Sequence, residues 1–222
     1  MLAEPRPRRH ARSMQTTQHE DDAAQWWEAF YGEGRGRWSG KPNRSLVDEV
    51  SGLTPGTALD LGCGEGGDAL WLAEQGWQVT AVDLSPSALA RAARNHAAAG
   101  IAADAVSWEQ RDIGVSLPAG RFDLVTATFL HSPVELPRTR ILRAAADAVS
   151  PGGTLLVIGH MPSAAHPHVD LPTPDEVIRD LALPADGWRL RTNAVREVQH
   201  AFRDEPPTTR LDGVVRFERL PG

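Results

Sequence analysis

In 222 residues the chain has a single cysteine, a single tyrosine and a single lysine. The lone Cys63 excludes an internal disulfide and any zinc site made of several thiolates. Lys41 is the one lysine among 23 basic residues, so arginine carries nearly all the positive charge. No apolar run approaches the roughly 20 residues that a membrane-spanning helix needs. Arg6, Arg8, Arg9 and Arg12 open the chain, but no apolar stretch follows them. That argues against a secretory signal and makes the cytoplasm the expected location. Basic excess is missing too. The net charge is −6, and because residues 1–12 carry four arginines against one glutamate, the remainder sums to −9. A body this acidic repels phosphate backbones, so neither nucleic acid nor a membrane surface is an expected partner.

What is present is a hydrophobic fraction of 41% and a length of 222 residues, enough for one domain with a buried sheet. Residues 1–22 are polar and without periodicity, which predicts a disordered tail. Met14 within it is a conceivable second start. A short aromatic-rich helix follows over residues 23–31. The glycine-rich stretch Gly32–Asn43 reads as a loop carrying Trp38, and a second helix runs from about Arg44 to Ser51. Residues 23–52 are thus expected to form a helical lid on a domain covering 23–222.

From Thr57 onward strand and helix alternate. Strands are expected at Thr57–Leu61, Trp77–Val82, Val106–Arg111, Phe122–Thr128 and Thr154–Gly159. Helices are expected at Asp68–Gln75, Pro86–Ala99, Pro137–Val149 and Pro174–Leu181. Two longer strands, Trp188–Phe202 and Thr208–Arg219, are too close for a crossover helix and should pair as an antiparallel hairpin. The expected fold class is therefore α/β: a doubly wound, mostly parallel seven-stranded sheet with that hairpin at its end and helices on both faces.

Gly62, Gly64 and Gly67 spell Gly-x-Gly-x-x-Gly between a strand and a helix. The pattern is shared by dinucleotide-binding and methyltransferase folds, so its neighbours must discriminate. Asp60 ends the first strand two residues before the first glycine. A carboxylate there works against a pyrophosphate but favours the positive amine and sulfonium of S-adenosylmethionine. Asp83, with Leu84 behind it, ends the second strand nineteen residues beyond Gly64, where an acid accepts ribose hydroxyls. Asp112 and Ile113 end the third, an acceptor for the adenine amino group and an apolar plate for its ring. Three acids at three successive strand ends are hard to obtain by chance.

Asp60-Leu-Gly-Cys-Gly-Glu-Gly66, Asp83, Asp112-Ile113, Phe122-Asp-Leu-Val and Pro151-Gly-Gly-Thr-Leu-Leu-Val resemble the successive motifs of class I methyltransferases, over residues 57–160. The resemblance implies an S-adenosylmethionine-dependent enzyme whose cofactor contacts include Asp60, Gly62, Cys63, Gly64, Asp83, Leu84, Asp112, Ile113 and Thr128. Trp26-Trp27, Trp38, Pro42-Asn43 and the stretch Gly76–Asp83 are further similar to the tellurite-resistance and thiopurine methyltransferase branch. This implies a small-molecule acceptor that is a thiol or a chalcogen oxyanion. Two alternatives stand: an NAD(P)-dependent oxidoreductase on the same glycine loop, and a non-catalytic adenosylmethionine-binding regulatory module.

On the acceptor side, Trp38, His131 and His160 are the candidates, with His131 placed to accept a proton and Trp38 to act as a lid residue. Asn43 and Arg44 are candidates for the cofactor carboxylate, although Asn43 serves equally well as a helix cap. Cys63 is expected to line the cofactor, not to react. His160, His166, His168 and Asp170 have a metal-like composition without helix or hairpin spacing, so no metal is expected. Oligomeric state is left open.

Overall fold

The computed structural model describes residues 23–32, 40–161, 171–200 and 208–222. In chain order these form α1 (23–32), α2 (Arg44–Val50), β1 (Thr57–Leu61), α3 (Gly67–Glu74), β2 (Gln78–Asp83), α4 (Pro86–Ala99), β3 (Val106–Gln110), β4 (Phe122–Thr128), α5 (Arg138–Asp147), β5 (Val149–His160), α6 (Pro174–Leu181), β6 (Trp188–His200) and β7 (Thr208–Arg219). The strands make one seven-stranded sheet in the order β3-β2-β1-β4-β5-β7-β6. β1 to β5 are mutually parallel, and β7 enters antiparallel between β5 and β6. This is the doubly wound sheet with a terminal hairpin that the strand-helix alternation implies. The expected tail over 1–22 lies outside the described residues.

Alternation along each strand divides the core in two. Leu59, Leu61, Val125, Ala127, Leu155, Val157 and Val215 face α5 and α6, meeting Ile141, Leu142, Val177 and Leu181. Their neighbours Ala58, Val79, Ala81, Leu124, Leu156, Ile158 and Val214 face α2 and α3, meeting Leu46, Val50, Ala69 and Leu72. Both faces are dry, which is why the parallel strands read as near-continuous apolar runs.

Helix ends follow local chemistry. Asn43 caps α2 through Ser45 N, and Ser85 caps α4 ahead of Pro86 at the first turn. Thr173 and Glu176 form a reciprocal capping box on α6.

One boundary departs from expectation. The helical pattern over 137–149 ends at Asp147, and Val149 already pairs with Phe122 as the start of β5. The carbonyl of Ala148 accepts the N–H of Phe122 at 2.8 Å, so the sheet claims that residue. Pro151-Gly-Gly, expected to separate helix from strand, instead sits in an irregularity within β5, with Gly152 at φ +81°. Smaller shifts put Asp83 inside β2, end β3 at Gln110 and start α3 at Gly67.

Candidate active site

β1 runs straight into the glycine loop. The N–H groups of Gly62 and Cys63 both donate to Val82 O, at 2.9 and 3.0 Å, which keeps the loop pinned to β2. Gly62, Gly64 and Gly66 all have positive φ. The requirement is sharpest at Gly66, where φ is +86° and an added Cβ would lie 2.6 Å from the Trp108 ring. Sequence spacing selects Gly67 as the third glycine of the pattern. The sharp turn belongs to Gly66, while Gly67 is constrained by close approach to Lys41 O.

Asp60 in β1, Asp83 at the end of β2 and Asp112 two residues beyond β3 are each differently engaged. Asp83 accepts from Gly64 N through one oxygen and from Ser85 N through the other, both at 2.9 Å. Burial pushes its carboxyl above the ordinary range, against those same backbone bonds. Asp60 pairs across strands with Thr126, whose hydroxyl donates to Oδ1 at 2.8 Å. Burial, reinforced by the negative charges of Asp68 and Asp83, raises Asp60 from 3.8 to about 7. Asp112 is less enclosed; its Oδ1 accepts from Gly114 N at 2.7 Å in a local turn. Ile113 and Leu84 beside these acids are half-buried.

Asp68 escaped the sequence reading except as the first residue of a helix. It accepts from Asn43 N at 2.6 Å, and its carboxyl is raised by burial. Asp60, Asp68 and Asp83 form an acidic pocket around the glycine loop. Cys63 sits in it as a neutral thiol, pushed well up by burial and then by Asp83 and Asp60. A neutral buried thiol is a poor nucleophile.

Two buried polar atoms beside this pocket have no protein partner, Asp60 Oδ2 and Asn43 Nδ2, and a third, His131 Nδ1, lies on the far side of the crevice; the Thr128 hydroxyl is directed at the Asp68 carboxyl. Unpaired buried polar atoms are costly and call for a ligand or water. Asp60 and Thr128 flank the crevice between β1 and β4, where the strand order reverses and open α/β sheets bind ligands. The set includes an acceptor and an amide donor beside three carboxyls. That donor set suits a molecule with an ammonium and a carboxylate. Asn43 does cap its helix, and its unpaired Nδ2 is still left over.

The residues after β4 and β5 form the other wall. Phe129 stacks on His160 with centroids 4.2 Å apart, and the Arg210 guanidinium lies 4.2 Å over the Phe129 ring. Arg210 pairs with the fully buried Asp212, which also accepts from Ser45 Oγ. His131 accepts the N–H of His160 at 3.1 Å. Burial, then the charges of Arg138 and His160, lower His131 to about 3. Its ring is neutral and weakly basic, and its Nε2 lone pair is already engaged by the His160 N–H.

Glu28 on α1 was also missed. It accepts from Ser85 Oγ at 2.6 Å, from Ser87 N at 3.1 Å and from Ser87 Oγ, sealing the N-terminus of α4 with a carboxylate. Its own value is lowered by these hydrogen bonds. The bonds place α1 on the turn that follows Asp83. Trp38, His166, His168 and Asp170 lie outside the described residues. Among the described residues no group of His, Cys, Asp and Glu could hold a metal ion, and no helix is long and apolar enough to cross a membrane.

Residues 58–153 match the family described as "Methyltransferase domain". The chain is 36% identical over 157 residues to the ubiquinone biosynthesis O-methyltransferase of Xanthomonas axonopodis pv. citri, covering 67% of this chain and 63% of that one. It is 33% identical over 142 residues to the 2-heptyl-1-hydroxyquinolin-4(1H)-one methyltransferase of Mycobacteroides abscessus, covering 62% and 61%. The chain thus spans less than two thirds of the length of these curated relatives. A solved structure described under the conversion of a disulfide bond into a thioacetal group during echinomycin biosynthesis superposes with a TM-score of 0.67 at 25% identity, covering 89% of this chain and 92% of that one. The chain has the class I methyltransferase fold, with residues 58–153 matching the methyltransferase domain family.

Proposed function

We propose that the chain transfers a methyl group from S-adenosylmethionine to a small-molecule acceptor. The observation that carries this reading is the buried, unpaired Asp60 Oδ2 at the sheet's reversal point, beside Asp68 and Asp83. Such a pocket attracts a cation and repels a dinucleotide pyrophosphate, which sets aside the oxidoreductase alternative.

Asp83 holds the ribose hydroxyls through the lone pairs left after Gly64 and Ser85 are satisfied. Leu84, Asp112 and Ile113 take the adenine. Asp60, Asn43, Thr128 and the Gly62-Cys63-Gly64 turn take the amino-acid portion. Bound S-adenosylmethionine supplies a methyl on positively charged sulfur. The chain's own residues align the acceptor with that methyl and exclude water. Neither Cys63, whose thiol keeps its own proton, nor the weakly basic His131 serves as a general base, so an acceptor with an acidic proton gives it up to solvent before it binds.

The name of the ubiquinone biosynthesis O-methyltransferase favours an oxygen acceptor, whereas the echinomycin-related structure is described by sulfur chemistry. The thiol or chalcogen acceptor rests on the likeness to the tellurite-resistance and thiopurine branch. Of the residues carrying it, Trp26 and Trp27 pack with Phe30 and Tyr31 in an aromatic cluster on α1, and Asn43 caps α2. Calorimetric titration should show binding of S-adenosylmethionine and S-adenosylhomocysteine and none of NAD. Labelled methyl transfer to a panel of phenols, thiols and oxyanions then separates enzyme from binding module. NAD binding with no adenosylmethionine binding would defeat the reading.

A further inference from the structure

The short segment Phe129–His131, after β4, concentrates unusual features. His131 Nδ1 is buried without a partner, and two residues before it Phe129 adopts φ +54°, a region bulky residues rarely enter. The ring of His131 reaches back across Gly159, whose added Cβ would lie 3.1 Å from Nε2, so the absence of a side chain there makes room for it.

We infer that His131 determines acceptor specificity by presenting an Nδ1–H donor to an oxygen of the methyl acceptor, selecting oxygen over sulfur. This rests on the methyl-transfer reading above. The tautomer follows from geometry. His160 N–H points at Nε2 from 3.1 Å, so Nε2 must offer its lone pair. A neutral imidazole has one N–H, which is then on Nδ1. Burial, with the Arg138 and His160 charges nearby, keeps the ring neutral.

The cavity beside the ring, about 10 Å³ and so roomy enough for one oxygen-sized group, is lined by Leu130, Leu142, Val157, Val177 and Val215, with Arg138 its charged member. A buried donor among apolar walls needs an acceptor atom. Sulfur accepts hydrogen bonds weakly, so such a donor discriminates between an oxygen and a sulfur nucleophile on the same apolar body. The Phe129–His160 ring pair alongside offers a stacking surface for an aromatic body.

In protein labelled with 15N-histidine, two-bond proton–nitrogen correlations should show His131 protonated at Nδ1 and bare at Nε2. The reverse pattern overturns the assignment. The functional arm follows methyl transfer to catechol and to thiophenol in wild type, His131→Phe and His131→Asn. The asparagine amide restores a donor near the Nδ1 position, and both variants lose the bond to His160 N. His131→Phe should lower kcat/KM for catechol by about tenfold or more and for thiophenol by about threefold or less, and His131→Asn should recover most of the catechol loss. Equal losses on both acceptors, no loss on either, or a wild type that methylates neither would overturn it. S-adenosylhomocysteine titration of the same samples separates the two levels. Retained binding with a failed donor test sinks only the role of His131, whereas no binding to wild type sinks the methyl-transfer reading itself.

Discussion

Both oxygens of Asp83 already accept a backbone N–H, from Gly64 and from Ser85, before any ligand arrives. The same carboxylate braces the glycine loop and is proposed to meet the ribose. Asp83→Ala should therefore weaken S-adenosylmethionine binding roughly tenfold to a hundredfold and also lower stability by about 1–3 kcal/mol. Asp83→Asn keeps one acceptor oxygen but turns an N–H towards a second donor, so it should lie between. Titration calorimetry and thermal melts check both, and an unchanged dissociation constant in Asp83→Ala would remove the residue from the site. Asp60 makes a pH prediction. Its folded value of about 7 lies above the ordinary 3.8, so the folded chain holds that proton more tightly than the unfolded chain. Its contribution to stability is accordingly favourable at low pH and is lost as pH rises from 3.8 through about 7. Asp60→Asn should gain melting temperature relative to wild type across that window. A bound cation favours the ionised carboxylate, so S-adenosylmethionine binding near neutral pH should release protons, read from calorimetry in buffers of differing ionisation enthalpy. Absent proton release and a pH-independent difference in melting temperature would place Asp60 outside the ligand's reach.

At the level of elements, α1 is attached through a carboxylate at the start of another helix. Glu28 meets Ser85 and Ser87, and Ser85 N is also a donor to Asp83. One turn therefore serves both the N-terminal helix and the proposed ribose site. Glu28→Ala should raise amide exchange over residues 23–32 while leaving β1, β4 and β5 unchanged, and should weaken S-adenosylmethionine binding severalfold. Because the Glu28 value is lowered below 4.5, the attachment holds above that pH and fails as pH falls through the folded value. Exchange over 23–32 that ignores the substitution would show that aromatic packing, not Glu28, holds the helix. Tyr31, buried to 6% exposure, is the residue on which that alternative would depend.

For the whole molecule, the hairpin and the N-terminal region are locked together by two buried acids, Asp212 through Ser45 and Glu49 through a wider cluster. Glu49 on α2, 5% exposed, accepts from Thr192 at 2.8 Å, meets Arg196 and pairs with Arg216 at 3.2 Å. Arg216 also donates to Glu49 O at 2.7 Å. α2 is thereby tied to β6 and β7, elements more than a hundred residues away in the chain. Removing one member of such a cluster strands the others. Glu49→Ala should cost about 3 kcal/mol in urea unfolding, and Glu49→Gln less. A loss below about 1 kcal/mol would mean that the apolar contacts of Leu46 and Val50 and the Ser45–Asp212 bond hold the helix without Glu49.

Much of this protein was legible locally. The strand at Thr57–Leu61, the helix Pro86–Ala99 between Ser85 and Gly100, the helix Pro174–Leu181 and the strand Phe122–Thr128 all follow from apolar periodicity and capping residues, which act within a turn or two. The order of acids Asp60, Asp83 and Asp112 along the chain likewise implied a binding edge, because successive parallel strands must bring their ends together. Other features needed the folded chain. Val149 belongs to β5 because Phe122 claims the backbone beside it, a choice helical periodicity cannot register. Asp60 meets Thr126 across 66 residues, and Ser85 meets Glu28 across 57. The Nε2 of His131 is engaged by the backbone N–H of His160, 29 residues on. Hydrogen-bond partners and loss of water depend on neighbours that only the sheet assembles. Residue type and spacing therefore determined the fold and most of the candidate groups, and tertiary contacts decided each group's burial and hydrogen-bond partners and brought in Asp68 and Glu28.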